Sequence, residues 1–235
     1  MICLAFDTSA KIASVAVLGG ERTLASYSID NGLTQSELIL PMAEDILKKL
    51  SLSYSDVGLL VSSVGPGSFT GVRIGVSLVK GLAFGKNIPC VGVSTLEALA
   101  ENLRGLSGRI IPVMDARRNQ VYTAVFSAKN NELVRLSEDR AISLAELAQE
   151  LRGINENIYL VGDGYEVAKK SLSEMGVVLC ETPEILRGEN ASSVGKVGIR
   201  KYQEGEYQND LEIAPIYLRL PQAERERLER MNDTK

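Results

Sequence analysis

The chain has 235 residues, of which 45% are hydrophobic and 24% are charged, and its formal net charge is −4 at pH 7. These proportions are typical of a soluble globular protein that folds as one compact unit or as two closely packed subdomains. The negative charge argues against a protein that binds nucleic acid on its own, because neutralising phosphates needs a basic surface. The lack of histidine excludes histidine-dependent triads, general acid–base catalysis by histidine and histidine metal ligands.

The spacing of the cysteines and the length of the apolar runs indicate the cellular compartment of the protein. Cys3, Cys90 and Cys180 are widely spaced and odd in number, which predicts reduced thiols, with Cys3 and Cys90 packed inside strands. Few apolar residues precede Asp7, which argues against a signal peptide. No apolar run reaches the length of a membrane span, about 20 residues. We therefore expect a cytoplasmic protein.

Alternating and periodic apolar residues predict a mixed α/β order in the first half of the chain. The predicted strands cover residues 2–7, 12–18, 24–29, 57–64 and about 90–93. The predicted helices cover about 34–50, 69–85 and 94–103. Ser68 or Thr70 can cap the second helix. Pro41 lies inside the first helical pattern, so we expect that helix either to begin just before Pro41 or to be kinked there.

The second half of the chain repeats the opening of the first. Another apolar strand ends at Asp115, and residues 120–126 predict a returning strand. Asp7 is followed by an Ala-Val pair at 16–17, and Asp115 is followed by an Ala-Val pair at 124–125 with the same spacing, which indicates an internal duplication. The other predicted elements are strands at 157–161, 177–181 and 213–218, and helices at 143–152, 164–175 and about 191–203.

The repeat predicts two similar halves that face one another, with a boundary in the Gly- and Ser-rich stretch 105–108. The N-terminal subdomain is predicted to cover residues 1–106 and to carry the partner-binding helices discussed below. The C-terminal subdomain is predicted to cover residues 107–220. The segment 221–235 is rich in charges, which predicts a frayed helix or a flexible tail.

The stretch 64–75 is dense in glycine, which is costly in chain entropy and indicates that the backbone must stay bare there. One interpretation is a phosphate cradle at the start of a helix, although the stretch matches neither a Walker loop nor a dinucleotide-binding fingerprint, and Arg73 is the only nearby cation. The other is close packing, within the chain or between chains, because Gly71 and Gly75 lie one helical turn apart on one face. We favour close packing.

Asp7, Thr8 and Ser9 follow the first predicted strand in a tight turn. A carboxylate and two hydroxyls at such a position can bind a phosphate group or its magnesium ion. The alternative is that these three side chains only stabilise the turn, which we regard as the commoner outcome.

Two further carboxylates are candidates. Glu97 lies on an otherwise apolar helix, where it either serves a site or, as we favour, simply faces solvent. Asp115, followed by Arg117 and Arg118, either binds a ligand or stabilises its own turn, and the sequence favours neither alternative.

Several segments together resemble the bacterial TsaB (YeaZ) family over nearly the whole chain. The matching segments are 2–9, 65–75, 89–100, 115–117, 121–122 and 215–219. The resemblance implies an α/β fold of the actin, Hsp70 and sugar-kinase class (ASKHA) with two duplicated RNase-H-like subdomains, in agreement with the internal repeat. It also implies a role in making threonylcarbamoyladenosine in tRNA.

The same resemblance implies a non-catalytic partner of TsaD that acts, together with the ATPase TsaE, in threonylcarbamoyl transfer to adenosine 37 of ANN-decoding tRNAs. TsaD holds a metal through a His-x-Glu-x-His motif. Residues 95–99 match that motif with Glu97 kept and with Thr95 and Leu99 in place of the histidines, so no metal is expected. Family members often carry a histidine around Gln35, and any role of that side chain is open here.

The two helices at 34–50 and 69–85 are the ones that the family resemblance implies as the contact with TsaD, or with a second copy when the chain is alone. The interface residues implied on them are Leu38, Met42, Ile46, Phe69, Gly71, Val72, Arg73, Gly75, Val76 and Val79. Transfer RNA would be bound only through the complex.

The resemblance implies no cofactor that belongs to this chain alone. ATP or ADP is implied only at the interface with TsaD, near Asp7, Thr8 and Ser9. The alternative function is an ATP-binding, kinase-like enzyme of the same fold, in which Asp7 and Asp115 would position Mg-ATP.

Overall fold

The computed structural model describes residues 1–32, 34–117 and 119–219. The predicted tail at 221–235 and Arg118 therefore lie outside the described residues. Within the described ranges, no helix combines the length and the apolar character that crossing a membrane requires. Two β-sheets, one from each half of the chain, form the framework.

The first sheet contains five strands. They are β1 (Ile2–Asp7), β2 (Ala13–Gly19), β3 (Arg22–Ile29), β4 (Val57–Gly65) and β5 (Cys90–Ser94), in the spatial order β3-β2-β1-β4-β5. β1, β2 and β3 pair antiparallel, whereas β4 and β5 run parallel to β1. The carboxyl ends of β1, β4 and β5 consequently meet at one edge of the sheet, which places Asp7, Gly65 and Ser94 close together.

In the part of the chain that the structure describes, six α-helices pack on the sheets. They are α1 (Gln35–Lys49), α2 (Phe69–Ala83), α3 (Thr95–Glu101), α4 (Leu144–Leu151), α5 (Tyr165–Glu174) and α6 (Ala191–Gln203). Successive residues of a strand point to opposite faces, so Leu4 and Phe6 pack with α1 and α2 while Cys3 and Ala5 pack with α6. The first sheet is therefore covered on both faces.

Pro41 lies inside α1, several residues after its first residue, Gln35. The prediction that this helix begins just before Pro41 is wrong. Proline removes the hydrogen bond to the carbonyl four residues earlier, that of Glu37. Both Glu37 and Pro41 are exposed, so water can bond that carbonyl and the ring meets no neighbouring element.

The second sheet is built around a central strand. Its strands are β6 (Gly108–Asp115), β7 (Gln120–Thr123), β8 (Phe126–Lys129), β9 (Glu132–Arg135), β10 (Arg140–Ser143) and β11 (Ile158–Val161). β6 pairs antiparallel with β7 and β8 and parallel with β11, while β10 extends β7 and β9 extends β8. The helices α4 and α5 pack on this sheet over an apolar cluster that includes Leu147, Leu160 and Leu172.

The predicted single strand at 120–126 is wrong, because the chain breaks into β7 and β8 at residues 124–125. The Val125 N–H donates to Ser137 Oγ over 2.8 Å, and the Leu136 N–H donates to the Val125 carbonyl over 2.8 Å. Val125 thus bonds the segment after β9 instead of β6. The matching Ala-Val pair at 16–17 lies within β2, so the repeat is regular at the two aspartates and irregular beyond them.

Two other predicted strands are absent from both sheets. Residues 177–181 contribute one isolated bridge, between Cys180 and Tyr159, and no ladder. Residues 213–218 belong to neither sheet; among their backbone N–H groups, that of Ile216 donates to the Val64 carbonyl over 2.7 Å. A single bond of this kind cannot define a strand.

We call the first sheet with α1, α2 and α6 lobe I, and the second sheet with α4 and α5 lobe II. The short helix α3 joins them, since Leu96 and Leu99 pack with Ile110 and Met114 of β6. The subdomain limits at 1–106 and 107–220 stay a prediction, and α6 crosses back from the second half of the chain onto the sheet of lobe I.

Candidate functional site

Asp7 ends β1 beneath the start of α2 and is buried. Its Oδ1 accepts three hydrogen bonds: from the Ser9 N–H at 3.0 Å, from Ser9 Oγ at 2.6 Å and from Ser63 Oγ at 2.8 Å. Its Oδ2 has no hydrogen-bond partner among the described residues. Burial raises the pKa of Asp7 above its ordinary value, although the bonds from Ser9 and Ser63 act in the opposite direction.

The turn after β4 leads directly into α2. Ser68 is the N-cap, since its Oγ accepts from the Gly71 N–H at 3.2 Å, and this confirms one of the two predicted caps. The Ser68 N–H donates to the Ser9 carbonyl at 2.6 Å, and Thr8 Oγ1 donates to the Gly71 carbonyl at 2.7 Å. The turns after β1 and β4 therefore bond each other.

Gly71 and Gly75 lie against the chain's own first turn. A Cβ at Gly71 would overlap the Thr8 carbonyl oxygen, and a Cβ at Gly75 would lie 2.7 Å from both Ser62 Oγ and Thr8 Oγ1. The close packing predicted for this helix is thus confirmed within the chain. The bare backbone at these two glycines makes room for β1 and β4, and their assignment to a partner interface stays a prediction.

Most of the other residues predicted at that interface also point inward. The buried ones, all in the core between α1, α2 and the first sheet, are Met42, Ile46, Val72, Val76 and Val79. These side chains fill the space above the sheet, and their contact with a partner stays a prediction. Leu38 and Phe69 are half-buried and Arg73 is exposed, so these three remain available at the surface.

Lobe II adds acidic groups opposite Asp7. Asp115 stabilises its own turn, because its Oδ1 accepts the Arg117 N–H at 2.7 Å, which is one of the two alternatives for this residue. Asp163 Oδ1 accepts the Asp115 N–H at 3.2 Å. Burial raises the pKa of Asp163, and repulsion from Asp115 adds to the increase. Burial, followed by repulsion from Asp163 and Asp7, raises the pKa of Glu189 to about 8.

Sequence reasoning missed Asp163 and Glu189. Asp7 is the last residue of β1 and Asp163 comes two residues after the end of β11, so an apolar strand followed by Gly-Asp-Gly was an available signal. Glu189 lies in the turn before α6, and its Oε1 has no hydrogen-bond partner within the described ranges. Only the folding of α6 onto lobe I brings Glu189 near Asp7, so no local pattern could identify it.

A cleft of about 390 Å³ opens between the lobes. Ser9 and the start of α2 line it from lobe I, Asp115, Arg117 and Asp163 line it from lobe II, and residues 216–219 complete the lining. Among the predicted nucleotide-proximal residues, Ser9 reaches the cleft, whereas Asp7 and Thr8 are buried behind it. The described residues contain no group of three acidic or cysteine side chains that could hold a metal ion.

Glu97 does not simply face solvent. Its carboxylate lies 3.5 Å from an Arg135 nitrogen and 4.0 Å from Lys201 Nζ, so α3 is tied to β9 and α6 by charge. Leu99, two residues on, is buried, and a Cβ at Gly162 would lie 3.1 Å from its Cδ1. This part of α3 is therefore occupied by an ion-pair network and an apolar contact.

The fold is shared with solved structures. Component A of (R)-2-hydroxyglutaryl-CoA dehydratase from Acidaminococcus fermentans is similar in fold alone, with a TM-score of 0.52 and 11% identity, over 86% of this chain and 99% of that chain. The YeaZ structure from Pseudomonas aeruginosa has a TM-score of 0.77 at 25% identity, over 92% of this chain and 99% of that chain. The architecture is the α/β ASKHA fold.

Sequence comparison gives the family. A family model described as TsaD, tRNA N6-adenosine threonylcarbamoyltransferase, matches residues 34–227. The tRNA threonylcarbamoyladenosine biosynthesis protein TsaB of Bacillus subtilis (strain 168) is 32% identical over 228 residues, which cover 95% of this chain and 96% of the relative. This identity over nearly the full length of both chains, together with the likeness to YeaZ, means that the chain belongs to the TsaB (YeaZ) family.

Proposed function

We propose that this chain is a non-catalytic partner of a TsaD homologue and acts as a scaffold for threonylcarbamoyl transfer to adenosine 37 of ANN-decoding tRNAs. The family's role in threonylcarbamoyladenosine biosynthesis supports this proposal. In it, TsaE joins the larger complex, tRNA is bound only through that complex, the chain forms a homodimer when alone, and the assembly works in the cytoplasm.

The observation that carries the non-catalytic role is the packing around α3. Glu97, the residue kept from the metal-binding motif of TsaD, is paired with Arg135, which competes for its carboxylate. Leu99 replaces the second histidine of that motif and fills an apolar core with Leu96 and Ile110. A metal at this position would have neither nitrogen ligands nor space.

The exposed face of α2 is the proposed docking surface. This face, defined by Arg73, Ser77, Gly81 and Phe84, follows a spacing of three to four residues and points away from the sheet. Phe84 is 75% exposed, and a Cβ added at Gly81 would meet no atom within 4 Å. Small residues between an arginine and an aromatic ring suit close approach by a second helix, and arginine and aromatic side chains are enriched in interfaces.

Substitutions on that face test the proposal without touching the core. Ser77→Arg and Gly81→Arg place a long charged side chain on the docking surface, and each should weaken binding to the cognate TsaD at least tenfold, about 1.4 kcal/mol. Binding can be measured by calorimetry, and threonylcarbamoyl transfer to tRNA should fall in parallel. Ser173→Arg, on the exposed side of α5, is the matched control and should bind normally. Native affinity in both α2 variants would contradict the assignment.

The polar cleft favours one alternative, an ATP-binding, kinase-like enzyme. Ser9, Asp115 and Asp163 face it, so a nucleotide could be accommodated there or, in the complex, near the interface with TsaD. The fit to a magnesium ion is poor, because the described residues offer no three-ligand acidic group. Calorimetry of the isolated chain with Mg-ATP separates the two functions: micromolar binding with turnover supports the enzyme, and no binding without TsaD supports the scaffold.

A further inference from the structure

The segment 213–219, which we call the strap, runs from the core of lobe I to lobe II. Ile213 is completely buried in the core of lobe I. Further along, the Ile216 N–H donates to the Val64 carbonyl over 2.7 Å. The Ile216 carbonyl oxygen lies so near Gly65 that a Cβ there would be 2.5 Å away. The strap is thus seated on the end of β4.

The next residue of the strap holds the first turn of α2. The Tyr217 ring stacks on Phe69 with a centroid distance of 4.7 Å. Arg73 Nε donates to the Tyr217 hydroxyl oxygen over 2.7 Å, and its guanidinium carbon lies 3.9 Å from the Phe69 ring centroid. Stacking and a hydrogen bond therefore hold Tyr217 of the strap, and the cation–π contact of Arg73 with Phe69 orders the two α2 residues that bind it.

The end of the strap lines the cleft and bonds lobe II. Arg219 Nη1 donates to the Ala116 carbonyl over 2.8 Å, and Ala116 directly follows β6 of lobe II. The lobes are also joined by the apolar packing of α3 on β6 and by a hydrogen bond from Ser94 Oγ to Asp139 Oδ2 over 2.5 Å. The apolar contact is extensive, whereas the contact of Arg219 with lobe II is small and polar.

We propose that the strap is a latch that sets how far the cleft between the lobes opens. The net contribution of one hydrogen bond is small compared with the packing of a lobe core, so Arg219 can release Ala116 without unfolding either lobe. Arg73 couples the latch to the surface, because it is exposed and bonds Tyr217. The proposal concerns the isolated chain and does not depend on the docking of TsaD.

Two measurements on the full chain without partners test the latch. Spin labels at residues 36 and 173, in a Cys180→Ser background, report the distance between the exposed surfaces of lobes I and II. Hydrogen exchange reports opening at the Ile216 amide. Arg219→Ala should add a second, longer label distance and speed exchange of the Ile216 amide at least tenfold. Tyr217→Phe, which removes only the hydroxyl, should produce a smaller change in the same direction.

The matched control is Arg152→Ala. Arg152 also bonds a backbone carbonyl, that of Met175, but both residues lie within lobe II. This variant should leave the label distances and the Ile216 exchange as in the native chain. Unchanged distances and exchange in Arg219→Ala, or the same change in Arg152→Ala, would overturn the proposal. If Arg219→Ala does not fold, Tyr217→Phe decides by the same criteria.

Discussion

Gly75 on α2 lies against the Thr8 side chain, and this contact fixes the helix over the end of β1. A Cβ at Gly75 would be 2.7 Å from Thr8 Oγ1 and from Ser62 Oγ. Because both oxygens are buried, Gly75→Ala should force α2 away from the sheet and lower the free energy of unfolding by about 1–3 kcal/mol. Urea denaturation measures the change.

Gly81, on the exposed face of the same helix, provides the control. An added Cβ there meets nothing within 4 Å. Gly81→Ala should therefore raise the free energy of unfolding by about 0.5–1 kcal/mol, since alanine loses less conformational freedom in a helix than glycine. Equal effects of the two substitutions would show that the Thr8 contact is not what requires Gly75.

Glu189 makes stability depend on pH. Its pKa is raised from its ordinary value of 4.5 to about 8 by burial and by repulsion from Asp163 and Asp7. The native state therefore holds a proton that the unfolded chain releases at lower pH. This contribution to stability is complete below about pH 4.5 and is lost as the pH rises through about 8. The melting temperature should fall between pH 5 and pH 9.

The variant Glu189→Gln should flatten that pH profile, because glutamine carries no charge to desolvate. It should match the native chain near pH 5 and melt at a higher temperature near pH 9. The raised pKa values of Asp7 and Asp163 contribute to the slope with the same sign, in the native chain and in the variant alike. Glu184→Gln, at an exposed position of the same segment, should preserve the native profile. If the melting temperatures of Glu189→Gln and Glu184→Gln changed with pH in the same way, Glu189 would not be the source of the pH dependence.

Arg135 is the centre of the charge network beneath α3. It lies 2.5 Å from Asp139 and 3.5 Å from Glu97, and its guanidinium is 4.7 Å from the Phe126 ring centroid. Arg135→Ala should lower the free energy of unfolding by about 1–2 kcal/mol, because it removes a cation–π contact and leaves two half-buried carboxylates without this partner.

Arg140 on β10 is the comparison for Arg135. It pairs with Glu150 near the surface of lobe II. Arg140→Ala should lower the free energy of unfolding by about 0–1 kcal/mol, as is usual for the loss of an exposed ion pair. Thermal and urea denaturation of both variants measure the difference. If Arg140→Ala lowered the free energy of unfolding as much as Arg135→Ala does, the place of Arg135 at the centre of the network would not explain its effect.

Local patterns predicted the elements whose apolar faces are regular. The strands β1, β2 and β4 and the helices α2 and α6 appear close to their predicted limits, because each buries an apolar face of its own. The break at 124–125 was not predictable, since the Val125 backbone bonds residues that follow β9. Long-range hydrogen bonds of this kind leave no periodic trace in the sequence.

The candidate site was predictable only in part. The end of β1 and the N-cap Ser68 follow from local sequence, and the glycines of α2 pointed correctly to close packing. The surface against which they pack could not be predicted, because an apolar ridge such as that of Val72 and Val76 fits the chain's own sheet as well as it fits a partner. Glu189 joins Asp7 only through tertiary folding, which spacing along the chain cannot encode.

The burial of Leu99 against Gly162 also limits how the sequence can change. A histidine at position 99 would place a polar ring in an apolar core, and burying it without a hydrogen bond would cost about 1–3 kcal/mol before any metal could bind. Single substitutions toward a metal motif on α3 therefore lower stability first and bring no ligand set in return. Selection for a stable chain is therefore enough, on its own, to keep α3 without the histidines of the metal-binding motif.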